Sequence, residues 1–331
     1  MSMGRWRRFA LISAAAAASV ALIACGSTEP PPVERAETPL EQARVERGRY
    51  IAENLALCEH CHSEIDWAAQ GTPPVAGKAY AGALFPDEGV PFRVVVPNIT
   101  PDMETGVGAW TDEELGRAIR EGVSRDGRRL FPLMPYMNYR QMSDEDLASV
   151  IAYLRSVAPV RNALAKNEFP EPVKATFPPH QPITAPVPQP DASQHGAYLV
   201  TLASCVVCHT PMDKQFQPIV PLAFAGGFVM KGPWGEVASG NITPDASGIS
   251  YYDEERFLQV MKTGDVGGRQ LNVMMPSSYY RHLTDADLKA MYAFIRTLPA
   301  VEHRVDNTEE AAPCERCGER HGLGAGNRGR D

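Results

Sequence analysis

The chain has 331 residues, enough for two domains of ordinary size with tails. Its 44% hydrophobic content is that of a globular protein, and its 29 prolines point to long loops and linkers. A formal charge of −8 argues against a nucleic-acid partner and suits a partner that is basic where it docks.

Arg5, Arg7 and Arg8 open the chain and precede an apolar run from Phe9 to Ala24. That run is short of the about 20 residues a spanning helix needs, but it suits the apolar part of a signal peptide. It closes as Leu22-Ile23-Ala24-Cys25-Gly26, which resembles the bacterial lipoprotein cleavage box. The resemblance implies that residues 1–24 are removed and that Cys25 becomes the lipid-bearing N-terminus. The alternative is an uncleaved anchor, and both readings tether the body to the periplasmic or exterior face of a bacterial membrane. Removing the three arginines from 32 basic residues leaves 29 against 40 acidic ones, a balance of −11. Residues 25–43, with Pro30-Pro31-Pro32, read as an extended spacer.

Cys58-Glu59-His60-Cys61-His62 follows, and Cys205-Val206-Val207-Cys208-His209 repeats it. Cys-x-x-Cys-His is the attachment signature of a c-type haem. Two thiols form thioethers to the porphyrin edge, and the adjacent histidine offers a ring nitrogen to iron. The sequence therefore predicts two covalently bound haem c groups, on Cys58 and Cys61 and on Cys205 and Cys208, with His62 and His209 as axial ligands.

The surroundings of the two motifs are also duplicated. Gly48-Arg49-Tyr50 matches Gly196-Ala197-Tyr198, Asn98-Ile99-Thr100-Pro101-Asp102 matches Asn241-Ile242-Thr243-Pro244-Asp245, and Leu130–Arg155 matches Leu271–Arg296 without a gap. Each unit reads as helix, haem motif, long loop, helix, Met loop, helix. Thr111 and Asp253 start the middle helices, which end at Gly122 and Gly264. Ser143 and Thr284 cap the closing helices, where Leu147, Val150, Ile151 and Leu154 match Leu288, Met291, Tyr292 and Ile295 in a helical stripe. Gly48 and Gly196 permit a close helix crossing, with Tyr153 and Phe294 as partners. Between the units, Pro159 to Asp191 holds nine prolines and reads as a stiff linker. The expected fold is all-α: domain 1 over 44–158, a Pro-rich linker over 159–192, and domain 2 over 193–300.

Each half resembles a small class I cytochrome c. The whole resembles the cytochrome c subunits of membrane-associated alcohol, aldehyde and gluconate dehydrogenases. The haem motifs, both Asn-Ile-Thr-Pro-Asp stretches, Thr105–Thr111, and Met134-Pro135-Tyr136 leading into Met142-Ser143-Asp144 carry that resemblance. It implies a dehydrogenase as electron donor and an oxidase or cytochrome as acceptor.

The sixth iron ligand separates a carrier from a catalyst, because a haem closed by His and Met transfers electrons while an open one binds peroxide, oxygen or CO. Met134 and Met275 coincide in frame, and each precedes a proline that favours an extended, presenting loop. They are the expected axial ligands, with Met137 as the fallback in the first half and Met274 as a one-residue ambiguity in the second. Met142, Met261 and Met291 read as core filler. His60, His180, His195, His282, His303 and His321 read as surface side chains. Asn98 and Asn241 serve either turn chemistry or a hydrogen bond to a haem propionate or axial sulfur.

In the tail, Cys314-Glu315-Arg316-Cys317 has Gly318 where the haem motif needs histidine, so no third haem is expected. The pair reads as a small disulfide, with metal binding alongside His321 as the alternative, in a disordered segment over 301–331. The expected function is a membrane-tethered di-haem electron carrier without catalytic residues. The competing reading is a di-haem peroxidase-like enzyme with one open haem.

Overall fold

The computed structural model describes residues 38–86, 88, 93–167, 183–184 and 191–328. The leader, Cys25 and most of the Pro-rich linker lie outside the described residues, so those expectations are not met by any structural observation.

The first helix, α1 (Pro39–Arg49), begins inside the expected spacer. The reason is a reciprocal cap: Thr38 Oγ1 accepts from the Glu41 amide at 3.2 Å, while the Glu41 carboxylate accepts from the Thr38 amide at 2.7 Å. The chain continues through a wider π turn over Tyr50–Leu55 into α2 (Cys58–Cys61). A long loop carries the two-residue strands β1 (Ala83–Leu84) and β2 (Val95–Val96), and then come α3 (Asp112–Glu121), α4 (Tyr136–Tyr139) and α5 (Asp144–Ser156). The second half repeats the order with α6 (Ala192–Leu202), α7 (Cys205–Cys208), the hairpin β3 (Val229–Gly232) and β4 (Gly235–Ala238), α8 (Glu254–Thr263), α9 (Ser277–Tyr280) and α10 (Asp285–Ile295). Both halves are helix-rich, as expected, and add short antiparallel pairs of two to four residues. Long loops must satisfy their own backbone groups where they turn back, and a few ladder bonds do so.

The caps fall where the sequence places them. Thr111, Ser143, Asp253 and Thr284 each accept from the amide three residues on, and Gly122 and Gly264 close α3 and α8 in the left-handed region. In each half the opening helix crosses the closing helix at the expected glycine. A Cβ on Gly48 would lie 1.9 Å from Ser149 O and 2.8 Å from Tyr153 Cβ; on Gly196 it would lie 1.8 Å from Ala290 O and 3.0 Å from Phe294 Cβ.

The halves share one hydrophobic core, which includes Ile51, Leu55 and Val150 of the first and Leu199, Leu288 and Met291 of the second. α4 packs on α6, and α9 packs on the π turn of the first half. At this seam Tyr50 Oη donates to Asp287 at 2.5 Å and accepts from the Thr284 amide at 3.1 Å. Tyr198 Oη donates to Asp146 at 2.6 Å and accepts from the Ser143 amide at 3.1 Å. Each half thus offers its opening-helix tyrosine to the other half's closing-helix cap, which makes the seam self-complementary.

Both halves also run longer than expected. After α5, Asn162 donates to Ala81 O at 2.9 Å, and Asn167 bonds both the amide and the carbonyl of Val95. After α10, Asn307 grips Ala238 in the same way. The segment over 301–328 is not disordered. It packs against the second half through Leu222 and Ala225 and forms the hairpin β5 (Ala311–Pro313) and β6 (Arg320–Gly322). Among the described residues, no helix is long and apolar enough to cross a membrane.

Candidate haem sites

The two Cys-x-x-Cys-His stretches adopt the same shape. Leu57 (φ +54°) and Ser204 (φ +56°) sit in the left-handed region just before the first cysteine. This conformation is uncommon for residues other than glycine. One helical turn, α2 or α7, then brings both thiols to one side, and none of the four is paired in a disulfide.

The following histidines are oriented, His62 buried and His209 half-buried. His62 Nδ1 lies 2.8 Å from Pro97 O and His209 Nδ1 lies 2.7 Å from Gly240 O. A carbonyl can only accept, so Nδ1 carries the proton and Nε2 presents its lone pair, the tautomer an iron ligand requires. Burial pushes both imidazoles below their ordinary pKa, the backbone bond opposing only in part, which keeps Nε2 unprotonated. The loop behind each ring is also duplicated: His62 O accepts from Gly82 N at 2.7 Å and His209 O from Gly226 N at 2.8 Å.

A connected cavity of about 1590 Å³ is lined by Cys58, Cys61, His62 and Met134 from one half and Cys205, Cys208, His209 and Met275 from the other. Valines, leucines and isoleucines, among them Val94, Leu115, Ile119, Val260 and Ile295, form much of the wall. Both attachment turns thus open on the same cavity. Paired thiols, an oriented neutral imidazole and a thioether on an apolar wall are the donor set of haem c, so the residues fit that group in both halves.

Met137, the fallback ligand, is 46% exposed, and Met103 is 67% exposed; neither lines the cavity. Met274 lines it beside Met275, so the ambiguity in the second half stands. Met142, Met230, Met261 and Met291 also reach the wall, all deep in the core.

Asn98 and Asn241 resolve to turn chemistry. Asn98 Oδ1 accepts from the amide and hydroxyl of Thr100, while Nδ2 donates to Val160 O at 2.7 Å and Thr105 Oγ1 at 3.2 Å. Asn241 repeats this with Thr243, Val301 and Ser247. Each amide thereby ties the loop to the strap that follows the closing helix.

Three histidines expected at the surface are buried. His195 lies within α6 and bonds Asp287 at 2.8 Å, while His303 and His321 lie in the C-terminal segment. His60 is half-buried, 4.9 Å from the Tyr279 ring and 5.5 Å from Trp67; His282 is exposed as expected, and His180 lies outside the described residues. Sequence reasoning missed the backbone acceptors at Pro97 and Gly240 and the seam tyrosines. Only the recurrence of tyrosine in Gly-x-Tyr hinted at the latter.

Comparison with known proteins agrees with this geometry. The chain is 29% identical over 310 residues to the fructose dehydrogenase cytochrome subunit of Gluconobacter japonicus, which covers 89% of this chain and 60% of that protein. It is 28% identical to the gluconate 2-dehydrogenase cytochrome c subunit of Pantoea cypripedii, over 80% of this chain and 62% of that one. It is 29% identical to a diheme cytochrome of Cereibacter sphaeroides, over 74% and 83%. The chain thus spans about three fifths of the length of the dehydrogenase cytochrome subunits it matches. The cytochrome c family model matches twice, over residues 45–158 and 193–299, and the chain belongs to the cytochrome c family.

Proposed function

We propose that this protein is a membrane-tethered di-haem cytochrome c that carries single electrons between a periplasmic or membrane dehydrogenase and a respiratory oxidase or cytochrome. The observation that carries the reading is the pair of equivalent Cys-x-x-Cys-His sites opening on one cavity, each with a Met-Pro loop on its wall. Haem c supplies reversible one-electron iron chemistry when bound. Cys58 and Cys61, and Cys205 and Cys208, would hold it covalently. His62 and His209, oriented by Pro97 O and Gly240 O, would each supply a nitrogen ligand, and Met134 and Met275 would supply the sulfur. The apolar wall excludes water, which limits reorganisation around a change of charge. Because the two attachment turns line one cavity, groups held there would lie close enough for an electron to pass between the halves inside the protein. No residue acts as acid, base or nucleophile in this role.

Similarity to cytochrome subunits of fructose and gluconate dehydrogenases supports a dehydrogenase as the donor. The Leu-Ile-Ala-Cys box supports a lipid on Cys25, which would keep the carrier on the periplasmic side of the membrane.

The test is spectroscopic. The purified protein holds two haems per chain, shows the Met–Fe(III) charge-transfer absorbance, and binds no CO when reduced. Met134→Ala and Met275→Ala each open one haem to CO and lower its potential, by on the order of 100 mV given the spread between ligand types. Tight CO binding or peroxide turnover by the unaltered protein would instead support the peroxidase-like reading. Charge-transfer absorbance that persists in the double variant would overturn the ligand assignment.

A further inference from the structure

The C-terminal segment holds four side chains that the haem cavity does not use. His303, Cys314, Cys317 and His321 are 0%, 2%, 7% and 2% exposed, and their ligand-capable atoms all lie within 4.8 Å of one another. Cys314 and Cys317 are free thiols, in contrast to the disulfide expected from the sequence.

The orientation of the rings is specific. His303 Nδ1 lies 3.0 Å from Ala225 O, and His321 Nδ1 lies 3.0 Å from Gly322 O. Carbonyls only accept, so both protons sit on Nδ1 and both Nε2 atoms present lone pairs. Those lone pairs face sulfur: His303 Nε2 is 3.3 Å from Cys314 Sγ, and His321 Nε2 is 3.5 Å from Cys317 Sγ. In a tetrahedral site with Zn–S of about 2.3 Å and Zn–N of about 2.0 Å, neighbouring N and S atoms stand about 3.5 Å apart. Asn327 Nδ2 also donates to Cys314 Sγ at 3.2 Å, a contact that favours a thiolate.

The backbone is shaped to suit. Gly318, at φ +79°, closes a tight knuckle between β5 and β6, in which its amide bonds Cys314 O at 2.8 Å and the Cys314 amide bonds Glu319 O at 2.9 Å. The knuckle's own apolar support is slight. Its buried cluster is Leu222, Ala225, Cys314 and Cys317, and its hairpin has three residue pairs. A unit this small needs a staple to hold one conformation.

We propose that His303, Cys314, Cys317 and His321 bind one zinc ion as a structural Cys₂His₂ centre that fastens residues 301–328 to the second haem half. Soft thiolates with imidazoles in a closed tetrahedron select zinc among the divalent cations. Uptake forms two Zn–S and two Zn–N bonds and releases the two thiol protons to water, and no atom changes oxidation state. The ion would brace the second haem site from behind: His303 holds Ala225 O, and the next residue, Gly226, donates to the carbonyl of His209.

The test uses the full, haem-loaded chain. Elemental mass spectrometry of freshly purified protein finds one zinc per chain beside the haem iron, and X-ray absorption at the zinc edge gives two sulfur and two nitrogen neighbours. Both cysteines resist alkylation until a chelator is added, and chelation opens residues 301–331 to protease while the haem absorbance persists. Cys314→Ser and His321→Ala each lower the zinc content at least fivefold, with haem absorbance as the check that each variant folds. No zinc in the unaltered chain, together with a Cys314–Cys317 peptide two daltons light that reacts only after reduction, would overturn the proposal in favour of a disulfide. Zinc that survives in the variants would overturn the ligand set. Neither result bears on the haem assignment, which rests on separate residues.

Discussion

Glu59 sits between the two cysteines of the first Cys-x-x-Cys-His stretch and is half-buried there. Burial, reinforced by charge on Glu53, pushes its carboxyl up to about 7. The folded state therefore favours the protonated form. The stability this contributes is present below the ordinary carboxylate pKa and is lost as pH rises through about 7. The ionised carboxylate also stabilises ferric over ferrous iron nearby. The potential of the first haem should fall as pH rises from 6 to 8, by no more than about 59 mV per pH unit, the one-electron limit. Glu59→Gln should flatten that slope and leave the second haem, with Val206 at the matching position, unchanged; spectroelectrochemical titration across pH measures both. An equal slope in the variant would remove Glu59 as the cause. At this scale the shared shape of the two Cys-x-x-Cys-His stretches was legible because the motif itself is repeated. The acceptors for His62 and His209 were not, since any carbonyl of a long loop can serve and side-chain identity does not mark which one does.

At the scale of elements, the helix crossings are set by glycine rather than by the apolar stripe. The nearest neighbour of a Cβ at Gly48 is a backbone oxygen 1.9 Å away, so no rotamer change relieves it and α1 must move off α5. Helix propensity alone would make Gly48→Ala stabilising by about 0.5–1 kcal/mol. Overpacking opposes this with about 1–3 kcal/mol, more when backbone must shift. We expect Gly48→Ala and Gly196→Ala each to destabilise by about 2 kcal/mol, read as a lower guanidinium midpoint with the slope kept. A raised midpoint would show that the helices part without strain. These crossings could be read in the sequence because caps, stripe and glycine all agree. The hairpins and the post-helix straps could not, because Asn162, Asn167 and Asn307 act on loop backbone about 70 to 80 residues away and carry no periodic signal. The tail was misjudged for a related reason. It brings together four dispersed ligand-type side chains, of which His303 lies eleven residues before the cysteine it meets.

The whole molecule is organised by its seam. Tandem repeats with a Pro-rich connection suggest two independent beads, yet Tyr50 reaches a carboxylate 237 positions along the chain and Tyr198 returns the contact. Duplication explains how such an interface arises: once one tyrosine fits the opposite cap, the repeat supplies its symmetric mate. The fit was invisible in the sequence because both tyrosines also read as ordinary features of a helix leading into a haem motif. Each hydroxyl bonds a carboxylate and a capping amide together, and Asp146 is itself almost fully buried beside Arg47. Bonds to charged groups contribute about 1.5–3 kcal/mol each, and their loss leaves the carboxylate under-satisfied. Tyr50→Phe with Tyr198→Phe keeps both rings and removes only the hydroxyls. We expect the unaltered protein to unfold in a single transition, because the halves share one core. The double variant should split that transition in two, with an increased radius by small-angle scattering between them. Each single variant should show a smaller effect of the same sign, as the symmetry requires. If the double variant keeps one transition at the original midpoint, the shared core alone joins the halves. The tyrosine hydroxyls would then add little to the cohesion of the two halves.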